Sequence, residues 1–265
     1  MKKGNVLVIG NSGVGKSTLI NSVLGERKAE TGWGNEGTTK ELRLYENGDV
    51  PFRLIDSVGF EPTFLKRTSS INAVKKWSKN SAKGNVEDKE NGHINVIWFC
   101  VDGTSSKLFP DTIKSLCKAV SMWKSVPIIV VITKSYSVLE REQNIEMVKN
   151  GFKKYKKCAD SIRNIIPVVA STYALNEDLY VPPEGITELI EVTNELLPEG
   201  IKTAESNINK YKLNRKRALA QSVVGASTTA GAIVGAVPIP FADAVILTPI
   251  ELAEIRAIAQ IYGIG

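Results

Sequence analysis

The 265-residue sequence predicts an α/β fold: a mostly parallel sheet with one antiparallel strand and helices on both faces, followed by a C-terminal α-helical segment. Between residues 6 and 197, short apolar runs alternate with stretches of helical periodicity, which is typical of a parallel sheet with crossover helices. Asn47-Gly48 lies between two strand-like runs, which indicates a hairpin and therefore one antiparallel pair. After Gly200 the character of the chain changes, and residues 201–217 and 251–262 have helix-compatible patterns.

The predicted strands are short runs of apolar residues. Those at the centre are uninterrupted, which is typical of strands buried on both faces. In chain order the strands cover 6–9, 42–45, 52–55, 94–101, 127–133 and 165–170.

The predicted helices fill the gaps between these strands. Gly25 ends the first helix, and the Pro198-Glu199-Gly200 turn ends the last one before the tail. The helices cover 16–24, 111–124, 139–162 and 186–197.

The composition of the chain changes near Pro198, where we place a domain boundary. Residues 1–198 form the first domain, and residues 199–265 form a helical region that need not contain the whole helical domain. Residues 201–217 are basic, residues 218–242 carry no charge, and 251–262 have the pattern of an amphipathic helix.

The bulk composition is that of an ordinary folded protein, with 43% hydrophobic and 23% charged residues, which excludes a disordered or fibrous chain. Three widely spaced cysteines without zinc-ligand spacing favour a reducing compartment. We find no signal-peptide pattern and expect a cytoplasmic protein. The single histidine, His93, disfavours histidine-based catalysis, and the net charge of +6 fits either an anionic partner or a lysine-rich solvated surface.

A glycine-rich loop follows the first predicted strand. Residues Gly10 to Ser17 read GNSGVGKS and match G-x-x-x-x-G-K-[ST], a motif whose backbone N–H groups bind phosphates at the start of a helix. Lys16 is expected to contact the β- and γ-phosphates, and the Ser17 hydroxyl to bind Mg²⁺. The predicted nucleotide contacts in and after this loop are Asn11, Ser12, Gly13, Val14, Gly15, Lys16, Ser17 and Thr18.

A second candidate element is Asp56-Ser57-Val58-Gly59, at the end of a predicted strand. A carboxylate at this position can hold Mg²⁺, and the Gly59 N–H can sense a γ-phosphate. The two motifs together predict binding of a nucleoside triphosphate with Mg²⁺.

The sequence resembles the Era-like (TrmE–Era–septin) class of P-loop GTPases in three motifs: GNSGVGKS at 10–17, GTTK at 37–40 and DSVG at 56–59. The resemblance covers residues 1–198 and implies a G domain, GTP/GDP and Mg²⁺ as ligands, and GTP hydrolysis. It also implies that Thr39, with Thr38 as the alternative, closes over Mg²⁺. Lys16, Thr39 and Gly59 are then the catalytic group, and Ser17, Thr39 and Asp56 are the metal group.

The base-binding motif departs from the family pattern [NT]-K-x-D. Thr133 and Lys134 match, but Tyr136 stands where an aspartate would accept the guanine N–H protons. A site without that carboxylate rejects adenine less strongly, so GTP and ATP both stay open as ligands. In the last loop the resemblance assigns base contacts to Ala170 and Ser171.

Two positions bear on the rate of hydrolysis. Phe60 follows DSVG and cannot orient a water molecule, and Gly13 stands where some relatives use an asparagine to hold potassium. We therefore expect slow GTP hydrolysis that an activating partner or a homodimer accelerates.

The tail resembles a helical domain of unknown function found after the G domain in certain bacterial GTPases, on the small-residue run from Gly225 to Ala244. Residues 201–250 allow either peripheral attachment to the inner face of a membrane or a small-residue hairpin packed on itself or on a second protomer. The leading prediction is a nucleotide-dependent switch. The alternatives are an ATP-dependent phosphotransferase and a nucleotide-regulated RNA- or ribosome-binding module that uses the basic run 153–157.

Overall fold

The computed structural model describes residues 3–25, 29–30, 42–47, 50–57, 93–105, 113–114, 116–117, 126–174, 180–234 and 249–264. Predictions that fall on other residues lie outside the described part of the chain.

Seven strands form one mixed sheet with the order β2-β3-β4-β1-β5-β6-β7. Strand β3 runs antiparallel to both of its neighbours, β2 and β4. The other described pairings in this sheet are parallel. The predicted fold class is therefore confirmed. The strands are β1 Gly4–Gly10, β2 Ala29–Glu30, β3 Leu42–Glu46, β4 Phe52–Ser57, β5 Val96–Asp102, β6 Ile128–Thr133 and β7 Ile162–Pro167, and a separate pair consists of β8 Tyr173–Ala174 and β9 Tyr180–Val181.

Six helices have bounds within the described residues. They are α1 Lys16–Leu24, α2 Val138–Phe152, α3 Lys156–Ala159, α4 Ile186–Leu196, α5 Glu205–Val234 and α6 Pro249–Tyr262. Of the helix predicted at 111–124, residues 113–114 and 116–117 are helical, and Ile113 and Leu116 are buried.

The helix predicted over 139–162 is interrupted, because residues 153–155 and 160–161 are not helical and residue 162 belongs to a strand. Helix α2 ends at Phe152, whose ring packs edge-on against Phe99 at a centroid distance of 6.1 Å. A short helix follows, and Ile162 already belongs to β7, which pairs with β6. The branched residues at 162–166 gain more from pairing with a buried strand than from extending an amphipathic helix.

The central strand divides the interior into two apolar clusters. Val6 and Val8 of β1 belong to one cluster, and Leu7 and Ile9 belong to the other, because successive side chains of a strand point to opposite faces. The first cluster also contains side chains of α1, α4, α5 and α6, whereas the second contains side chains of α2.

The C-terminal helices lie on the α1 side of the sheet. Tyr211 of α5 is buried in the first cluster, and its hydroxyl donates a hydrogen bond to the carbonyl oxygen of Val23. Lys212 forms an ion pair of 2.6 Å with Glu191 of α4.

The division of the chain at Pro198 stays a prediction. Within the described residues, no helix combines the length and the apolar character that a membrane span requires.

Candidate nucleotide-binding site

The phosphate loop lies at the carboxyl end of β1, between the neighbouring strands β4 and β5. Gly13 has φ 77° and Gly15 has φ 94°, and both values are strained for residues with a side chain. The glycines of the motif therefore supply the backbone conformation that turns N–H groups towards a phosphate. The strand–loop–helix context that the motif requires is present.

Lys16 is the first residue of α1, and its ammonium group lies across the loop. Nζ donates hydrogen bonds to the carbonyl oxygens of Gly10 and Asn11, each at 2.9 Å. Ser17 and Thr18 follow in the first turn and are exposed, and this turn contains no acidic side chain. The positive end of the α1 dipole and Lys16 together favour an anion at this position.

Asp56 lies at the end of β4, in register with Val8 of β1, and is buried. Burial raises the pKa of its carboxyl, and the charges of Lys16 and Arg43 oppose this rise only in part. Its Oδ1 atom is buried without a hydrogen-bond partner among the described residues. A buried carboxylate oxygen without a partner is suited to a divalent cation.

The residues present fit a single Mg²⁺. No cluster of three or more histidine, cysteine, aspartate or glutamate side chains that could hold a metal occurs in the described part of the chain. Mg²⁺ is commonly held by one or two protein groups together with phosphate oxygens and water. Asp56 and the exposed Ser17 hydroxyl match that requirement.

Thr133 is buried at the end of β6, and its hydroxyl connects this strand to the phosphate loop. Oγ1 lies 2.5 Å from the carbonyl oxygen of Val14 and 2.9 Å from that of Val101. Thr133 thus has a supporting role in the loop that sequence reasoning did not assign. Its predicted contact with the base stays a prediction.

Lys134 adopts a left-handed conformation with φ 54°. Its Nζ lies 2.7 Å from Oδ2 of Asp102, at the end of β5. Burial alone would raise the pKa of Asp102, but hydrogen bonds from Lys134 and Thr104 outweigh burial and lower it. This carboxylate is therefore already engaged by two partners.

Tyr136 stacks on Tyr173 with a centroid distance of 4.0 Å and an interplanar angle of 16°. Burial raises the pKa of Tyr136, so its phenol stays neutral. Nearby, Arg141 donates to the Ser135 carbonyl oxygen and pairs with Glu184 at 2.7 Å. The predicted base loop is therefore fastened to the next loop by contacts that sequence reasoning missed.

Ala170 and Ser171 border a cavity of about 800 Å³ between α1 and α5. Thr18 lies on the same cavity, so three predicted nucleotide contacts meet there. The lining residues are Thr18, Asn21, Ser22, Leu24, Gly25, Asn47, Ala170, Ser171, Arg215, Ala218, Leu219, Gln221 and Ser222. The sequence did not indicate that the tail helix forms one wall of this cavity.

Thr38, Thr39, Gly59 and Phe60 lie outside the described residues. The roles assigned to them stay predictions.

The family model and the curated proteins that match this chain are those of GTPases. The model of a family described as "50S ribosome-binding GTPase" matches residues 5–134. GTPase Era from Geobacter sp. is 27% identical over 75% of this chain and 57% of its own length. GTPase Era from Halothermothrix orenii is 29% identical over 76% of this chain and 66% of its own length.

A solved structure of an Aquifex aeolicus Era variant bound to GDP and AlF4⁻ is 21% identical, covers 86% of this chain and 67% of its own, and has a TM-score of 0.45. So distant a likeness carries no functional assignment. The chain spans between about half and two thirds of the length of the curated relatives above. Residues 5–134 thus match the model of the 50S ribosome-binding GTPase family, and this part of the chain is similar to an Era-like P-loop GTPase domain.

Proposed function

We propose that this protein binds GTP and GDP with Mg²⁺, hydrolyses GTP slowly, and acts as a nucleotide-dependent conformational switch. The observation that carries the proposal is the arrangement around the phosphate loop. Lys16 lies across a loop with two left-handed glycines, and Asp56 presents an unpartnered buried oxygen at the end of the strand paired with β1.

Each residue has a defined task in this proposal. The Lys16 ammonium leaves the Gly10 and Asn11 carbonyl oxygens to bind the β- and γ-phosphates. Asp56, ionised, holds the metal together with Ser17. When bound, Mg²⁺ neutralises charge on the phosphate oxygens. Thr39 and Gly59 are the proposed reporters of the γ-phosphate.

Slow hydrolysis follows from two side chains. Phe60 offers no polar group to orient the attacking water. Gly13 has no side chain, so it cannot hold a monovalent cation beside the phosphates. A group supplied by an activating partner or by a second copy of the chain would raise the rate, as an arginine supplied by a partner does in other GTPases.

The C-terminal helices are the proposed connection to a partner. Val224 of α5 and Leu252 and Ile255 of α6 are large apolar side chains that are 40%, 40% and 52% exposed. Their exposure supports contact with another protein, a second copy or the inner face of a membrane.

RNA or a ribosomal surface is the second candidate partner. Lys153, Lys154, Lys156 and Lys157 are all exposed, which suits a phosphate backbone. The description of the matching family names the ribosome, which agrees with this alternative.

The proposal is tested by equilibrium binding of GTP, GDP, ATP and ADP with and without Mg²⁺. We expect guanine nucleotides to bind in the presence of Mg²⁺, and Lys16→Ala to weaken GTP binding on the order of 100-fold, because two charge-assisted contacts are lost. Lys153→Ala, the same change at an exposed lysine, is the matched control. Equal affinity of Lys16→Ala and the parent protein for GTP would refute the proposed site, and rapid hydrolysis by dilute monomer would refute the slow rate.

A further inference from the structure

The cavity beside Ala170 and Ser171 runs along the length of α1. Thr18, Asn21 and Ser22 of α1 lie on it together with Gly25, which caps the end of α1, and their spacing marks one face of a helix. On the other side α5 contributes one face of its own, from Arg215 to Ser222.

The two helices run antiparallel along this cavity. At one end Arg215 lies against Gly25, where a methyl group would collide with the guanidinium. Seven residues, or about 10 Å of helix, separate Gly25 from Thr18 and Arg215 from Ser222. At that other end Ser222 Oγ lies 3.4 Å from Oγ1 of Thr172, the residue directly after Ser171.

The cavity therefore joins the helix of the phosphate loop, the predicted base contacts Ala170 and Ser171, and α5. Its volume of about 800 Å³ is within the usual range of roughly 300–1,000 Å³ for small-molecule sites. Ser222 and Gln221 are exposed polar side chains on its α5 wall.

The chemistry of these two side chains suits guanine. Ser222 donates its hydroxyl proton to the Leu219 carbonyl oxygen at 2.6 Å, and the Thr172 hydroxyl faces one of its lone pairs, so one lone pair remains as an acceptor. Gln221 offers an amide oxygen as a second acceptor, next to the N–H₂ donor of the same amide. The Watson–Crick edge of guanine presents N1–H and N2–H donors, whereas adenine N1 is an acceptor.

Two other polar side chains near the predicted base motif at 133–136 already have partners. Tyr136 is a neutral phenol stacked on Tyr173, and Asp102 is held by Lys134 and Thr104. We propose that α5 completes the base end of the nucleotide site, with Ser222 and Gln221 as the residues that determine guanine specificity. This inference rests on the proposed nucleotide site.

The assignment makes the tail a part of the binding site. A base held between Ser171 and Ser222 bridges the G domain and α5, so binding of the base fixes the position of α5. Binding of phosphate groups without a base does not.

The test uses the full chain with Gln221→Leu and Ser222→Ala combined, and measures binding of GTP, ATP and inorganic triphosphate with Mg²⁺. The double variant should bind GTP roughly 10-fold more weakly, which corresponds to two neutral hydrogen bonds. Affinity for ATP and for triphosphate should be unchanged. Lys210→Ala, at an exposed position of the same helix, is the control and should bind like the parent.

Retained triphosphate binding shows that the double variant is folded. An unchanged ratio of GTP to ATP affinity overturns the assignment of α5, as does a parent protein without guanine preference. Failure of the proposed function looks different, because triphosphate binding would then be absent or insensitive to Lys16→Ala.

Discussion

At the scale of single residues, Asp56 and Asp102 show how burial and partners set the charge of a carboxyl in opposite ways. Asp56 is buried with one unpartnered oxygen, whereas Asp102 accepts hydrogen bonds from Lys134 and Thr104. The pKa of Asp56 is accordingly raised, mainly by burial, and that of Asp102 is lowered.

These directions have opposite consequences for stability. For Asp56 the folded protein binds the proton more tightly than the unfolded chain. The free energy of unfolding therefore falls as pH rises from the ordinary value of 3.8 through the raised pKa, and the penalty is fully present above that raised pKa. For Asp102 the contribution is stabilising above 3.8 and is lost as pH falls through the lowered pKa.

Asp56→Asn should therefore raise the free energy of unfolding without Mg²⁺ at pH 7, by about 1 kcal/mol, because an underpaired buried charge is removed. The same change should abolish the additional stabilisation given by Mg²⁺ with GDP. Urea unfolding with and without the ligands measures both effects. Asp102→Asn is the control and should be destabilising. A destabilised Asp56→Asn protein would show that the carboxylate is satisfied in the folded state.

The residues of the site were predictable where the signal is local. Lys16 and Asp56 stand in short motifs with fixed spacing from a strand. The structure places Lys16 after the loop that follows β1 and Asp56 near the end of β4, which pairs with β1. Asp102 and Tyr173 carry no such signal, because each meets its partner only through strand order or loop packing.

At the scale of elements, the end of α1 is held by groups from three parts of the chain. The Gly25 N–H donates to Asn21 O at 2.7 Å, and Asn47 Nδ2 donates to Leu24 O at 2.8 Å. The Tyr211 hydroxyl of α5 donates to Val23 O. The last carbonyl groups of a helix need such partners when they are buried.

Tyr211→Phe removes the contact from α5 and leaves a buried carbonyl oxygen without its donor. The free energy of unfolding should fall by roughly 1–2 kcal/mol. Urea denaturation provides the measurement, with Tyr155→Phe on the opposite face of the sheet as the control. If both variants unfold at the parent midpoint, water replaces the phenol at no cost and α5 does not hold the end of α1.

Elements with strong local signals were predicted closely. Asn47-Gly48 correctly indicated the antiparallel pairing of β3 with β4, and α1 has the predicted bounds. The prediction over 139–162 missed the break between α2 and α3 and the last residue, Ile162, which pairs with Ile128 of β6. Pairing with a distant strand is a tertiary effect that a local pattern does not contain.

At the scale of the whole molecule, the tail contributes to the apolar interior of the G domain. Five residues of α5 are buried in the cluster that also contains Val6 and Val8 of β1. They are Ile208, Tyr211, Leu219, Ala220 and Val223. The compositional change near Pro198 indicated a boundary, but composition does not show which face a following helix covers.

A chain that ends at Pro198 should be less stable than the full chain by on the order of 5 kcal/mol, because several apolar side chains lose their cover. Urea unfolding and the yield of soluble protein measure this loss. A chain that ends at Val234 retains α5 and isolates its contribution from that of α6. If residues 1–198 unfold cooperatively at the parent midpoint, the two parts are independent domains.

The position of α5 also sets an order of events during synthesis. Val6 and Val8 leave the ribosome early, whereas the side chains of α5 that cover their cluster follow about 200 residues later. At roughly 5–20 residues per second, this delay is on the order of ten to forty seconds. During that interval the nascent chain exposes the apolar face of α1 and the sheet. The phosphate loop therefore emerges long before α5 is complete, and the apolar cluster that contains Val6 and Val8 gains its full cover only when the tail has docked.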